Sequence, residues 1–480
     1  MSADIKAQMT ADYQRQSAFS WCQISGNQYM KNMIAIILAA GEGTRFKSET
    51  PKVLHEIFGK TIIERVAGIV SGFDKKIIVV GHKSELVKKS ISDKNMIFVK
   101  QVKQLGSGDA VVQTEKILKN FTGDLVILSG DVPFLKKETV DKLLSVHKKE
   151  KAAASVLTCE MENPSHYGRI IRNRNGTVKA IVESKDAADV IKKIKEINSG
   201  IYVFSSKELF SALHKVKNNN SKSEYYLTDV ISILNSENKK VIAYKTDDFK
   251  EIMGINNRSE LAQAENYIRE KILENLMISG VTIVNPGTVY IEETVEIEKD
   301  VTIMPSTIIK GKTKIKSGCV LGPFSYIDSS TVGKNVEIRA SFVYGAEIAD
   351  DVKIGPFSHI RKETKIGRYA RIGNFSEIKK SVIGENTKVS HLSYIGDSQL
   401  GKNINIGAGT ITCNYDGKKK HKTEIGDYTF VGSNTNLIAP IKIGKGALIA
   451  AGSTITHDVP DNKLAIARER QVIKKLKVKG

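Results

Sequence analysis

Cysteine is scarce and scattered. The 480 residues hold four, Cys22, Cys159, Cys319 and Cys413, and no two form a C-x-x-C pair. Neither a zinc site nor a disulfide framework is indicated, so a reducing cytoplasm is the natural setting. Long apolar runs are also missing. None approaches the ~20 residues that a membrane span needs, so no membrane partner is expected. The first 32 residues are polar and mixed, with Asp4, Asp12 and Arg15 and no apolar centre, which does not fit a secretory signal. Met30 or Met33 is an alternative start. With nine prolines and 37 glycines, the composition argues against extensive disorder. Aromatic residues make up only 6% of the chain and do not interleave with basic ones. That excludes the pattern of single-strand nucleic-acid binders, and no nucleic-acid partner is expected.

What the chain does have is material and positive charge. Its length suits two or three domains, and 41% hydrophobic residues is ordinary for a soluble globular protein. Lysine and arginine number 73 against 53 acidic residues, a formal net charge of +20. Such a surface favours anionic partners, phosphorylated metabolites among them. The excess is spread along the chain apart from the tail Arg468 to Lys479, and a spread of this kind also reads as solvated surface.

The back half has a cadence. Ile297, Ile303, Ile309, Ile315, Leu321 and Ile327 recur every six positions, as do Ile348, Ile354, Ile360, Ile366, Ile372 and Ile378. A third run is Ile425, Val431, Leu437, Ile443, Ile449 and Ile455. A helical face recurs every 3.6 residues and would drift out of step with this period. A short strand plus a turn fits it. Three such units close a triangular coil with the anchors on a common axis, and stacked coils bury a column that no single coil could bury alone. The rhythm breaks between Thr412 and Glu424, so Cys413 to His421 is an excursion from the coil, a common place for binding residues.

The front half reads as an α/β domain. Ile34 to Leu38 is a buried strand that runs into Ala39-Ala40-Gly41-Glu42-Gly43-Thr44-Arg45. The glycines allow a sharp turn that brings backbone N–H groups to a phosphate, although a purely structural turn looks the same. Further strands are expected at Ile77 to Val80, Ile97 to Val99 and Leu125 to Leu128, with helices at Thr61 to Val70 and Asp109 to Leu118 between them. The alternation predicts a largely parallel sheet with helices on both faces. Asp131 falls just past a strand end, where it serves either as a metal-holding carboxylate or as a turn former. Ser259 to Met277 reads as a connecting helix with Leu261, Ala264, Ile268, Ile272 and Leu276 on one face.

Several segments are together highly specific. They are LAAGEGTRF (Leu38 to Phe46), PKVLH (Pro51 to His55), QLGSGDA (Gln104 to Ala110), SGDVPF (Ser129 to Phe134), YGRI (Tyr167 to Ile170) and EINSGIYVF (Glu196 to Phe204). They continue with NNR (Asn256 to Arg258), SHLSYIGD (Ser390 to Asp397) and NINIGAGTITCNYDGKKK (Asn403 to Lys420). From about Met33 to about Arg468 the chain resembles the bacterial bifunctional N-acetylglucosamine-1-phosphate uridylyltransferase and glucosamine-1-phosphate N-acetyltransferase. Residues 1–32 lie outside the match.

The resemblance implies a Rossmann-like α/β nucleotidyltransferase domain over 33–258 and a linker helix over 259–277. A left-handed parallel β-helix of hexapeptide repeats, ending in the basic tail, would occupy 278–480. It implies two reactions: acetyl-CoA acetylates glucosamine 1-phosphate, then UTP uridylylates the product and releases pyrophosphate. The product feeds cell-envelope polysaccharide. By resemblance Arg45 and Lys52 neutralise phosphates, and Asp131 and Asn256 hold Mg²⁺. Leu38, Gly41, Gln101, Gln104, Gly106 and Ser107 lie at the nucleotide, and Gly168, Glu183 and Asn198 at the sugar. Ser107 stands where the family commonly has Thr, which keeps the hydroxyl.

On chemistry alone His391 reads as a surface residue of the coil, yet it falls on the family's general base, a role that suits histidine. Arg361, Lys379, Tyr394 and Asn405 would bind the amino-sugar phosphate, and Asn414, Tyr415 and Lys420 would line the acetyl-transfer site of a neighbouring subunit. Ala408, Ser433, Ala451 and Arg468 would contact acetyl-CoA. Lys362 replaces the family's usual Pro after Arg361. The implied assembly is a homotrimer in the cytoplasm. Two alternatives are a nucleotidyltransferase whose coil serves only assembly and a basic RNA-binding scaffold. The His391 region and the Asn414 to Lys420 loop speak against the first, and the low aromatic content against the second.

Overall fold

A computed structural model describes residues 33–164 and 166–474. The extension 1–32, with Cys22 and Met30, and the last residues of the basic tail lie outside the described residues. The chain divides into two compact units between Ala264 and Glu265. Among the described residues no helix is long and apolar enough to cross a membrane.

The first unit is built on nine strands: β1 (Met33–Ala39), β2 (Lys75–Val80), β3 (Met96–Lys100), β4 (Asp124–Ser129), β5 (Ala154–Glu160), β6 (Arg169–Arg172), β7 (Val178–Val182), β8 (Glu196–Ser205) and β9 (Val241–Lys245). Their order is β9-β5-β8-β4-β1-β2-β3, with β6 paired to β8 and β7. The near-continuous apolar run of β1 follows from burial on both faces. Ala35 and Ile37 pack with Val66 and Leu143 on one side, while Ile34 and Ile36 pack with Val111, Leu209 and Val230 on the other. Helix Ile62–Ile69 starts where a capping box fixes it, the Thr61 side chain accepting from the Glu64 N–H and Glu64 accepting from the Thr61 N–H. The helix expected over Asp109 to Leu118 forms as two pieces, Ser107–Val112 and Glu115–Leu118.

The sheet is mixed rather than largely parallel. β1 is parallel to β2 and β4, but β8 runs antiparallel to both β4 and β5. Between β5 and β8 the chain makes the β6–β7 hairpin and only a short helix, Asp189–Lys192. No crossover helix returns it to the starting edge, so β8 comes back in the opposite sense.

A 21-residue helix, Arg258–Ile278, contains the division between the units. Ala264 is buried in it. Farther on, Leu273 is buried and Ile272 and Leu276 are half-buried against the core of the second unit.

That core is a single column. Three parallel sheets of 11, 10 and 9 strands wrap around it, and most strands are two or three residues long. One register line runs Ile354, Ile372, Val389, Ile406, Val431 and Ile449, one residue per coil. The six-residue anchors lie on the axis and are buried, apart from the half-buried Ile297. Each buried aliphatic side chain stabilises the column by about 1.5–3 kcal/mol. Corners are turned in the left-handed region, often by Asn or Asp, as at Asn335, Asp351, Asn386 and Asn403 with φ of 55°, 60°, 56° and 55°. The unit is a left-handed parallel β-helix of hexapeptide repeats. The excursion lies between strands Ile411–Cys413 and Thr423–Ile425.

Candidate active sites

The residues singled out in the first unit converge at the carboxyl ends of its parallel strands, where open α/β sheets place ligands. The Leu38 carbonyl, near the end of β1, accepts from the Gly130 N–H at 2.9 Å and so holds the segment after β4 beside the glycine loop. In that loop Gly43 is the residue that needs glycine. Its φ is 65°, and a Cβ there would lie 2.7 Å from the Lys52 Cβ. A Cβ at Gly41 would meet nothing within 4 Å, so its place is open for a ligand to approach the backbone.

Four side chains meet there. Lys52 Nζ donates to Asp131 Oδ2 at 2.5 Å and lies 3.4 Å from Asn256 Oδ1. An Arg45 guanidinium nitrogen donates to Asn256 Oδ1 at 2.8 Å. Ser129 Oγ donates to Asp131 Oδ1 at 2.6 Å. Burial alone would raise the Asp131 carboxyl, but the Lys52 charge and hydrogen bond, helped by Ser129, hold it below the ordinary carboxylate value. The result is an ionised carboxylate and an amide oxygen side by side, both facing cations.

Gln101 Nε2 donates to the Gly106 carbonyl at 3.0 Å and to Asp109 Oδ2 at 2.7 Å, and Gln104 Nε2 reaches the Gln101 carbonyl at 3.5 Å. The Ser107 hydroxyl accepts from the Leu227 N–H at 3.0 Å. The Asn198 N–H donates to the Gly168 carbonyl at 2.9 Å. The β8 register shifts between Asn198 and Tyr202, a bulge that re-aims its side chains. Burial raises the Glu183 carboxyl above its ordinary value, and a hydrogen bond from Thr228 offsets this only in part.

The second unit carries its groups on successive coils. His391 ends strand Lys388–His391 and pairs in register with Asn374 one coil earlier. His391 Nδ1 lies 2.7 Å from Asn374 Oδ1. An amide oxygen only accepts, so Nδ1 is the donor in this contact, and in the neutral ring Nε2 is the nitrogen that can accept.

At the other end of the next strand stands a cationic group. Lys379 lies beside Lys420 and Arg361, and contact with Lys420, followed by burial and the nearby charges, lowers Lys379 below the ordinary lysine value. Arg361 is held by Glu377 Oε1 at 2.7 Å. Lys362 leaves the Arg361 backbone in the ladder, its N–H donating to the Ile378 carbonyl at 2.8 Å. Asp397 gathers the excursion: Asn414 Nδ2 donates to its Oδ2 at 2.6 Å and to the Tyr394 hydroxyl at 3.3 Å, and Lys420 Nζ lies 4.0 Å away. The excursion is itself a small hairpin with a Tyr415–Lys420 bridge. The Asp416 carboxylate accepts from the Lys419 and Lys418 N–H groups and from His421, which together lower it well below the usual range.

A third group forms a row. The Asn434 N–H donates to the Ala408 carbonyl at 2.7 Å and the Gly452 N–H to the Ser433 carbonyl at 2.8 Å, so Ala408, Ser433 and Ala451 occupy one corner on successive coils. Arg468 bonds the Ala451 carbonyl. Asn405 lies on the His391 face, in register above Lys388. Within one chain His391 and the Lys379 group stand at opposite ends of a coil face, since Tyr394 follows His391 closely and Lys379 pairs with Gly396.

Sequence reasoning missed Ser129, Asn374, Glu377 and Asp397. The coil spacing was the available signal for Asn374 and Asp397, because each partner lies 17 residues away.

Residues 34–266 match the family model described as nucleotidyl transferase, and residues 345–380 and 422–457 match bacterial transferase hexapeptide (six repeats). The bifunctional protein GlmU of Halalkalibacterium halodurans is 48% identical over 447 residues, covering 93% of this chain and 98% of its own. That of Acetivibrio thermocellus is also 48% identical, covering 93% and 97%. That of Streptococcus agalactiae is 48% identical over 442 residues, covering 92% and 96%. A solved UDP-glucose pyrophosphorylase complexed with UDP-glucose is 20% identical with a TM-score of 0.41, covering 50% of this chain and 99% of its own. With near-half identity to such relatives over almost the whole length of both partners, the chain belongs to the GlmU family of bifunctional proteins.

Proposed function

We propose that the chain makes UDP-N-acetylglucosamine through two chemically separate pockets. On the coil, the amine of glucosamine 1-phosphate attacks the thioester carbonyl of acetyl-CoA. The new C–N bond forms as the C–S bond breaks, and the amine proton passes to His391 Nε2 and then to the departing thiolate. In the neutral ring the Asn374 contact selects the tautomer whose Nε2 can accept. Arg361 and Lys379 hold the sugar phosphate with Tyr394 and Asn405. Ala408, Ser433, Ala451 and Arg468 hold the coenzyme.

In the sheet unit, an oxygen of the N-acetylglucosamine 1-phosphate attacks the α-phosphorus of UTP and pyrophosphate leaves. Charge spreads over the phosphoryl group, so positioning and cations dominate. Arg45 and Lys52 supply positive charge, Leu38, Gly41, Gln101, Gly106 and Ser107 frame the nucleotide, and Gly168, Glu183 and Asn198 frame the sugar. The paired oxygens of Asp131 and Asn256 suit Mg²⁺, a hard cation that takes few protein ligands and completes its shell with phosphate and water. Asp131 and Asn256 would hold the ion, which would supply positive charge for the triphosphate.

The working parts are 33–258 for uridylyl transfer, 259–277 as linker helix and 278–480 for acetyl transfer, with 1–32 outside both. The protein works as a cytoplasmic homotrimer and supplies cell-envelope polysaccharide. Two observations support the trimer. His391 and Tyr415 are exposed in a single chain, and Phe357, Phe375 and Leu392 leave an exposed apolar column on one corner, the two phenyl rings 5.6 Å apart. Asn414, Tyr415 and Lys420 then line the site of a neighbouring subunit.

The observation that carries the reading is the pairing, in one chain, of an oxygen-and-cation cluster at the carboxyl ends of the sheet strands with an oriented histidine on the coil. The test follows each product separately in a mixture of glucosamine 1-phosphate, acetyl-CoA, UTP and Mg²⁺. Acetylation should proceed without UTP, and uridylylation of N-acetylglucosamine 1-phosphate without acetyl-CoA. A pure protein that turns over neither substrate set refutes the proposal.

A further inference from the structure

One face of the coil distributes charge differently from its neighbour. Like charges placed directly opposite on adjacent strands destabilise a sheet, and opposite charges stabilise it. One face obeys this. Charged residues directly in register there are opposite in sign, with Lys314 2.9 Å from Glu296, Lys365 2.9 Å from Glu347 and Lys442 3.8 Å from Glu424. The face that carries Glu337, Lys353, Arg371 and Lys388 on successive coils does not. Lys353 reaches Glu337 at 3.6 Å. Arg371 and Lys388 are exposed, stand directly in register, and among the described residues neither has a carboxylate within 4.0 Å. The carboxylates nearby are engaged elsewhere, Glu385 by Lys402 at 3.5 Å and Asp351 by Asn335 at 3.1 Å.

A trough of about 860 Å³ lies beside these two cations. Its floor and ends come from one corner of the coil. Tyr369, Asn386, Asn403 and Tyr428 take that corner on four successive coils, all in the left-handed region. Asn386 and Asn403 are short and bonded to each other at 2.7 Å, so they form a low floor. The tyrosines stand at the two ends, about three strand spacings or ~14 Å apart. Both rings are exposed, and each has a cation over it, Arg368 at 5.5 Å from one centroid and Lys445 at 5.6 Å from the other.

We propose that this trough is a binding site for a nucleoside diphosphate or triphosphate, separate from the sheet pocket and at the opposite end of the coil face from His391. Arg371 and Lys388 are one strand spacing apart, about 4.8 Å, and bridge neighbouring phosphoryl groups. The guanidinium offers a two-pronged contact and the ammonium a point charge. A ribose then carries the base over Asn386 and Asn403 to a tyrosine ring, on which any base can stack. Bound phosphate also removes the repulsion between the two stacked cations, so the ligand stabilises the coil that holds it.

The experiment is equilibrium dialysis of the full chain with radiolabelled UDP at low salt, counting sites per chain. Wild type should show a salt-sensitive class of site beyond that of the sheet pocket. The double variant Arg371→Glu/Lys388→Glu should lose that class alone, with at least a tenfold fall in its affinity. The charge-keeping Arg371→Lys/Lys388→Arg variant should retain it, which separates loss of the site from loss of the fold. Inorganic pyrophosphate should compete more weakly than UDP, and Tyr369→Ala/Tyr428→Ala should remove that difference. A wild type with no extra class, or an extra class that survives in the Glu variant, overturns the proposal. Equal competition by pyrophosphate overturns the nucleotide assignment.

Discussion

The two units assemble their sites by opposite means. In the sheet unit the partners are far apart in the chain: Arg45 and Asn256 are separated by 211 residues and Lys52 and Asp131 by 79. In the coil unit His391 and Asn374, and likewise Asn414 and Asp397, are separated by 17. A sheet brings distant loops to one edge only after the whole unit has folded, whereas a coil juxtaposes residues one turn apart wherever two coils stack. The first site therefore depends on the complete sheet, and the second on a few neighbouring coils.

If the two sites are independent, removing one base should spare the other reaction. His391→Ala should lower kcat for acetyl transfer by roughly 10²- to 10⁴-fold, as loss of a general base does, and leave uridylyl transfer near wild type. Equal loss of both rates breaks the comparison. The converse is Asp131→Ala. Release of pyrophosphate should fall by about 10²- to 10³-fold, the usual scale for losing one electrostatic contact at a phosphoryl centre, while acetyl transfer stays near wild type. Release at the wild-type rate would discard the metal-site assignment.

Stability sharpens the contrast. Ile360 is fully buried and stacked between Val343 and Ile378. Ile360→Ala should cost the coil about 2–5 kcal/mol, read by calorimetry, with uridylyl transfer retained at temperatures where acetyl transfer is lost. A smaller effect is expected at Asn374. Asn374→Ala removes one hydrogen bond that fixes the histidine tautomer, so kcat for acetyl transfer should fall about tenfold, the kinetic equivalent of roughly 1.4 kcal/mol, with KM for glucosamine 1-phosphate unchanged. A change confined to KM would mean that Asn374 binds substrate instead.

The smallest effect is a displacement. Lys52 is what keeps the Asp131 carboxyl below its ordinary value against burial. In Lys52→Met, only the Ser129 and backbone hydrogen bonds still oppose burial, so the acid limb of the residual uridylyl transfer should move to higher pH. The sign for stability is the same. In wild type the lowered carboxyl contributes stability that is present above the unfolded value near 4 and is lost as pH falls through the folded one. Without Lys52 that contribution disappears, and acid unfolding should begin at higher pH. An unmoved limb in the pH profile of kcat/KM would break the link between Lys52 and Asp131.

Much of the coil could be read from the chain because its order is local. A six-residue period leaves the anchors no geometry but a common axis, and the break after Thr412 marks the excursion without any knowledge of contacts. In the sheet unit the buried strands were legible from apolar runs, but the sense of β8 was not, since periodicity carries no direction. The glycine loop was visible, yet which glycine needs a left-handed backbone depended on the approach of Lys52.

By itself, then, the sequence determined the two architectures and the motifs that carry the chemistry, because strand periodicity and turn residues act over a few neighbours. Only the tertiary structure decided that Lys52 rather than another cation engages Asp131, that Asn374 orients His391, and that Arg371 and Lys388 stand directly in register. Those are distance relations between side chains, set by how strands pair and coils stack, and no local pattern encodes them.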